Sequence, residues 1–280
     1  MSEMTTSTAA LTRTALLGVR FWDAVTGHVV VDGLTVTEVV TATRAVPGPS
    51  GVFVIHDLPG IRASAFGAGD DDFWRSPPMT RRVILELRDA WERFVPLRLS
   101  AEVPHRGLFA PDCVSASPPD DGSVSVPLFS SATRTAPAGF AAVRADLWDF
   151  DADAPAAWAV LEVRAGEGPV HRGIAGADGR ASVLLPYPEP ATHLASPPAG
   201  LGGLSSQTWP ASVAVRYTPA APSPPSKASA APPDLCSVLG QPGATALASA
   251  SPLAPLDPQT LVFGRELVLR SAGRSVLLVT

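Results

Sequence analysis

The stretch from Phe140 to Pro190 constrains the fold more tightly than any other part of the chain. Ala141–Trp148 alternates apolar and polar positions, and Asp149–Pro155 is an Asp-rich turn closed by a proline. Ala157–Val163 is mostly apolar, and Val170–Ile174 is short. Ala177-Asp178-Gly179-Arg180 then makes a tight turn into Ala181–Leu185, which ends at Pro186. A period of two, bounded by Gly, Pro and Asp, is the mark of strands joined as hairpins, and Asp-Gly supplies the positive φ of a short turn. Four strands and three turns therefore predict a small antiparallel β-sandwich.

The same grammar appears nearer the N-terminus. Ala15–Trp22 leads into the turn Asp23–Gly27, followed by His28–Val31 and Leu34–Val40, a Pro-Gly break over 47–51, the apolar run Val52–Ile55, and the turn His56–Gly60. Arg81–Asp89 and Phe94–Val103 alternate again and would close this sheet as a hairpin. A helix over Met79–Phe94 competes, since apolar residues at 83, 84, 87, 90, 91 and 94 also fit a helical stripe. The two regions read as distant internal repeats.

Around them lie segments of different character. Residues 1–14 read as a flexible arm, 15–128 as an N-terminal sandwich with an insertion at 61–80, and 129–218 as the second sandwich. The segment 219–233 reads as a Pro/Ala/Ser tether. Within 234–280, Leu261–Leu269 and Ser275–Val279 are expected to pair as a hairpin about Ser271–Arg274. That hairpin would have to dock on a domain or on another chain, because one alone is marginal in water. The expected class is all-β.

An apolar content of 46% against 17% charged residues argues for a folded chain, and a net charge of −5 without a basic stripe argues against a nucleic-acid partner. No window has the length of apolar residues that spans a bilayer, and the start lacks a signal-peptide pattern, so a cytoplasmic origin without membrane insertion is expected. In that compartment Cys113 and Cys236, far apart and without metal spacing, are expected as two reduced thiols.

Chemistry-bearing motifs are sparse. There is no Gly-x-Ser-x-Gly elbow, no phosphate-cradling Gly-rich loop with its lysine, and no His-Glu-x-x-His. His56-Asp57 could serve a hydrolase with a dispersed site, but also reads as a turn with a surface histidine. Asp149, Asp151 and Asp153 alternate like the first ligands of a calcium loop, yet Ala154 and Val160 stand where such a loop needs Gly and an acid. No cofactor or metal is therefore expected, and no catalytic residue. Asp70, Asp71 and Asp72 beside Phe73 and Trp74 form a candidate interface, an acidic anchor with an aromatic plug. Leu261, Phe263, Arg265 and Leu267 would present one face of a strand added to a neighbour's sheet.

Ala157–Val163, Arg172–Arg180 and Leu184-Leu185-Pro186 together resemble the carboxypeptidase regulatory-like module. The resemblance implies an Ig/transthyretin-like sandwich without catalytic residues. The wider layout, through Gly51–Gly60 (GVFVIHDLPG), Val126–Ser130, Tyr187–Pro190 and Phe263–Leu267, resembles a bacterial family encoded with contractile injection systems, which are phage-tail-like particles. It implies a structural subunit of a symmetric assembly, contacting sheath, baseplate or cap proteins, made in the bacterial cytoplasm and released, if at all, with the particle. The alternative is an Ig-like module binding carbohydrate or peptide, with Trp74, Trp91 or Trp209 as an aromatic platform.

Overall fold

The computed structural model describes residues 15–61, 74–75, 79–114, 124–189, 207–219 and 231–280. Strand makes up 49% and helix 3%, so the chain is all-β and sandwich-like. In the N-terminal half the strands are β1 (Leu17–Asp23), β2 (Leu34–Glu38), β3 (Val46–Pro47), β4 (Val52–Ile55), β5 (Arg81–Asp89), β6 (Leu97–Val103), β7 (Leu108–Phe109) and β8 (Val126–Leu128). The C-terminal half begins with β9 (Phe140–Asp149), β10 (Ala154–Pro155), β11 (Val160–Ala165), β12 (His171–Ile174), β13 (Arg180–Pro186) and β14 (Thr208–Arg216). Beyond them come helix α1 (Leu235–Leu239) and strands β15 (Gly243–Ala244), β16 (Ala246–Ala250), β17 (Leu253–Pro255), β18 (Gln259–Val262), β19 (Leu267–Leu269) and β20 (Leu277–Val279).

Period-two patterning decides the ambiguous segment at 81–89. Val83, Leu85 and Leu87 are buried to within 2%, whereas Ile84, which a helical stripe would bury, stands 37% exposed on the other face of β5. β5 pairs antiparallel with both β2 and β6, as a hairpin reading requires.

The two halves share one pairing plan. β1 takes β4 antiparallel on one side and, on the other, β7 and then β8 in parallel. β9 repeats this with β13 antiparallel and β19 and then β20 in parallel. The facing layers also correspond: β5 lies between β2 and β6, while β14 lies between β11 and the pair β15 and β18. Even the turns match, for β4 and β13 are each entered through a glycine of positive φ, Gly51 at 78° and Gly179 at 79°. A Cβ on Gly179 would also press into the Leu147 carbonyl oxygen. Gly179→Ala should therefore lower the melting free energy by about 1–3 kcal/mol, measured by urea titration; an unchanged midpoint would show that the turn relaxes freely.

Two expectations about the architecture need correction. The sheets are mixed rather than purely antiparallel, because the short strands β7, β8, β19 and β20 run parallel to β1 and β9. Segments of two or three residues beside prolines, such as Val126-Pro127-Leu128, carry no periodicity that would announce a parallel partner. Nor do 261–269 and 275–279 form a docking hairpin. β18 pairs with β14, and both β19 and β20 pair with β9. β20 also pairs with β16, so the far end of the chain lies inside its own sheet.

Apolar side chains gather into two clusters. The first joins Phe21, Ile55, Leu85, Leu99 and Leu128 with Leu235 and Val238 from α1, and reaches across to Val160 and Ile174. The second joins Val143, Leu147, Leu161, Val183 and Val215 with Leu261, Leu269, Leu277 and Val279. The chain thus leaves the C-terminal sheets after β14, places α1 on the first cluster, and returns for β15 to β20.

Cys113 and Cys236 form a disulfide with Cα atoms 5.4 Å apart, correcting the expectation of two thiols. Their separation of 123 residues in sequence hid the pairing, which depends on α1 being laid against the N-terminal half.

Candidate functional site

The groups with the greatest chemical content lie at the boundary between the two clusters and at the two strand ends that feed it. At the end of β1 the carboxylate of Asp23 is 4% exposed. It accepts from the Val25 N–H at 3.0 Å and the Thr26 hydroxyl at 2.9 Å, closing the following turn. Both of its oxygens also receive the Arg134 guanidinium, Oδ1 at 2.8 Å and Oδ2 at 2.5 Å. Burial alone would raise this carboxyl, but the Arg134 fork and the turn donors outweigh it and hold Asp23 below the usual carboxylate range.

Asp149 is its counterpart at the end of β9. Its Oδ1 accepts from the N–H groups of Asp151 and Ala152, and its Oδ2 from the Tyr217 hydroxyl at 3.0 Å. Burial and this carboxylate push the Tyr217 phenol up to about 12. Asp153 in turn accepts from the Trp148 indole N–H at 3.0 Å. Asp149 and Asp153 are thus engaged by protein donors and point to different tasks. A repeated Trp-Asp, Trp22-Asp23 and Trp148-Asp149, was the sequence signal for these paired turn-closers.

Arg134 lies in the crossing from β8 to β9, and Arg144 of β9 fastens the same crossing. Arg144 donates to the carbonyls of Ala132 and, at 2.8 Å, Arg134, and pairs with Glu266 at 3.0 Å. A hollow of about 220 Å³ opens beside it, lined by Trp22, Val114 and Phe129 from one half and His171, Arg172 and Leu184 from the other. Burial lowers the pKa of His171, which favours its neutral imidazole. A second hollow, about 400 Å³, lies between Asp89, Glu92 and Pro96 on one side and Gly176, Asp178 and Arg180 on the other.

Glu86 and Asp89 are engaged as well. Glu86 receives Arg88 and Arg98, and Asp89 receives Arg93, which also stacks 4.4 Å from the Trp91 ring centre. Burial would raise Glu86 and Asp89, but these arginines leave both lowered. A general acid at neutral pH needs the opposite shift. The site is built to hold charges in place. Among the described residues no three His, Cys, Asp or Glu side chains gather closely enough to bind a metal ion, and no helix is long and apolar enough to cross a membrane.

The residues singled out in sequence are dispersed. Asp70, Asp71, Asp72 and Phe73 lie outside the described residues. Trp74 is half-buried and lines a hollow with Val52, Val54 and Leu108. Leu261 is fully buried in the second cluster, Phe263 packs 4.7 Å from the Tyr187 ring, and Leu267 pairs with Val143; Arg265 is exposed. Leu261, Phe263 and Leu267 are therefore engaged within the chain, while 263–266 is a turn between β18 and β19 rather than a strand. His56 is half-buried and Asp57 exposed, directly after β4. Of the tryptophans offered as a platform, Trp209 is 9% exposed beside Tyr187, whereas Trp91 is 60% exposed.

No family model, no curated protein and no solved structure matches this chain.

Proposed function

We propose that the chain is a non-catalytic structural subunit of a contractile injection particle, a two-domain spacer whose second body is a transthyretin-like sandwich. The observation that carries this reading is an outward apolar patch on an otherwise cross-fastened body. Val40 is 83% and Val39 38% exposed in the turn after β2, and the Val39 N–H donates at 2.9 Å to the carbonyl of Ile84, itself exposed on β5. Branched aliphatic side chains set outward on a sheet and its adjoining turn fit a partner subunit better than water. Because the C-terminal strands are spent within the chain, attachment through this patch replaces attachment through a docking arm.

The test is to purify particles from cells expressing a tagged chain and to identify cross-linked peptides by mass spectrometry. The wild type should co-purify with cross-links to sheath, baseplate or cap proteins. Val40→Asp combined with Ile84→Glu should keep its circular dichroism and drop out of particles at least tenfold. A wild-type chain found only as free monomer, or a variant incorporated as well as wild type, sinks the reading.

A further inference from the structure

Helix α1 has only five residues, too few to persist by its own hydrogen bonds, so its contacts must hold it. Five fastenings do so. The Asp234 carboxylate caps it, Oδ1 accepting from the Cys236 and Ser237 N–H groups, while Oδ2 accepts from the Ser100 N–H of β6 at 3.0 Å. The Arg98 N–H donates to the Pro233 carbonyl at 3.3 Å, extending the edge of β6. Leu235 and Val238 sink into the first cluster, where Ile174, Val160 and Trp158 arrive from the other half. Just past the helix, the Gln241 amide donates to the Trp158 carbonyl at 2.9 Å. The disulfide is the only covalent member of the set, and both of its cysteines are half-buried, within reach of a small reductant.

We propose that α1 is a redox-sensitive clasp over the boundary between the two halves, closed by the Cys113–Cys236 disulfide and loosened when it is reduced. A small dithiol supplies the electrons: one thiolate attacks a protein sulfur to give a mixed disulfide, and the second displaces it. Two protein thiols and one cyclic disulfide result, two electrons and two protons passing from the dithiol to the protein. Without the cross-link the helix depends on Asp234, two buried aliphatic side chains and Gln241. It then opens more often, and contacts across the boundary open with it.

A cross-link that merely limits the unfolded chain would protect every cooperative unit of the fold it stabilises, whereas a clasp acts where it sits. Hydrogen–deuterium exchange on the full chain separates the two. With dithiothreitol, or in the Cys113→Ser/Cys236→Ser variant without it, exchange should rise at least tenfold in 235–239, 98–100 and 157–159. Rates in the centres of β5 and β11 should stay within twofold. A comparable rise in β5 and β11, no rise at α1, or an intact mass showing two free thiols in the air-oxidised wild type each overturns the proposal.

Discussion

Deleting residues 242–280 should unfold the C-terminal sheets while leaving the N-terminal sheets, with Leu235 and Val238 packed on them, in place. The deletion removes β16, β18, β19 and β20, and with them Leu261, Leu269, Leu277 and Val279, each at most 1% exposed. Burying one such side chain stabilises a fold by about 1.5–3 kcal/mol, so four approach the whole stability of an ordinary domain. β9 would also lose both parallel partners and expose its edge. Near-ultraviolet circular dichroism and urea titration should show a single remaining transition with a smaller m-value, from the N-terminal sheets. A docking arm would behave oppositely, and a truncated chain retaining two native cores would refute the topology described above. The milder Leu277→Ala should cost about 2–5 kcal/mol at neutral pH.

Arg134→Ala should destabilise the protein by about 3–5 kcal/mol at pH 7, since it leaves the Asp23 carboxylate buried without its cation. The pH dependence gives the loss a signature. In the wild type Asp23, Glu38, Glu86 and Asp89 all sit below their ordinary values, so each stabilises the fold above the unfolded-state pKa. That contribution is complete above about pH 5 and is lost as the pH falls through the folded-state values, below about 4. Without Arg134 burial is unopposed by the guanidinium, and Asp23 is better tolerated protonated. The deficit of the variant should therefore shrink as the pH falls from 7 to 3, where the wild type itself weakens. Urea titrations at the two pH values measure it. A deficit under 1 kcal/mol, or one independent of pH, would mean that Arg134 contributes packing rather than charge.

The strands were legible where burial is one-sided. Val52–Ile55, β9, β11, β12 and β13 follow from short apolar runs, alternation and turns at Asp-Gly and Pro-Gly, whereas Arg81–Asp89 stayed open to a helix over Met79–Phe94. Pairing partners were not legible, because a strand's period says which face is buried and nothing about its neighbour. Hence Leu261–Leu269 and Ser275–Val279 read as two arms of one hairpin, although β19 and β20 both lie alongside β9. The disulfide was hidden for a related reason, since compartment and spacing speak only to cysteines close in sequence. At the candidate site the aspartates closing turns at 149–153 were visible, but the Asp23–Arg134 pair was not: its members lie on either side of nearly the whole N-terminal half. Asp234 did carry a local signal, standing after two prolines and before Leu235 as a helix cap stands.

The parallel strands on β1 and β9 also bear on how the chain is made. As it emerges from the ribosome, β1 can find β4 early but must wait for β8, and the first cluster lacks Leu235 and Val238 until synthesis has passed α1. β9 waits longer still, since β20 follows only after β10 to β19. For most of translation, then, apolar strand edges stay open, and neither half can finish before much of the other exists. Such a nascent chain folds slowly through non-local pairings and gains from a chaperone that shields those edges until β20 arrives.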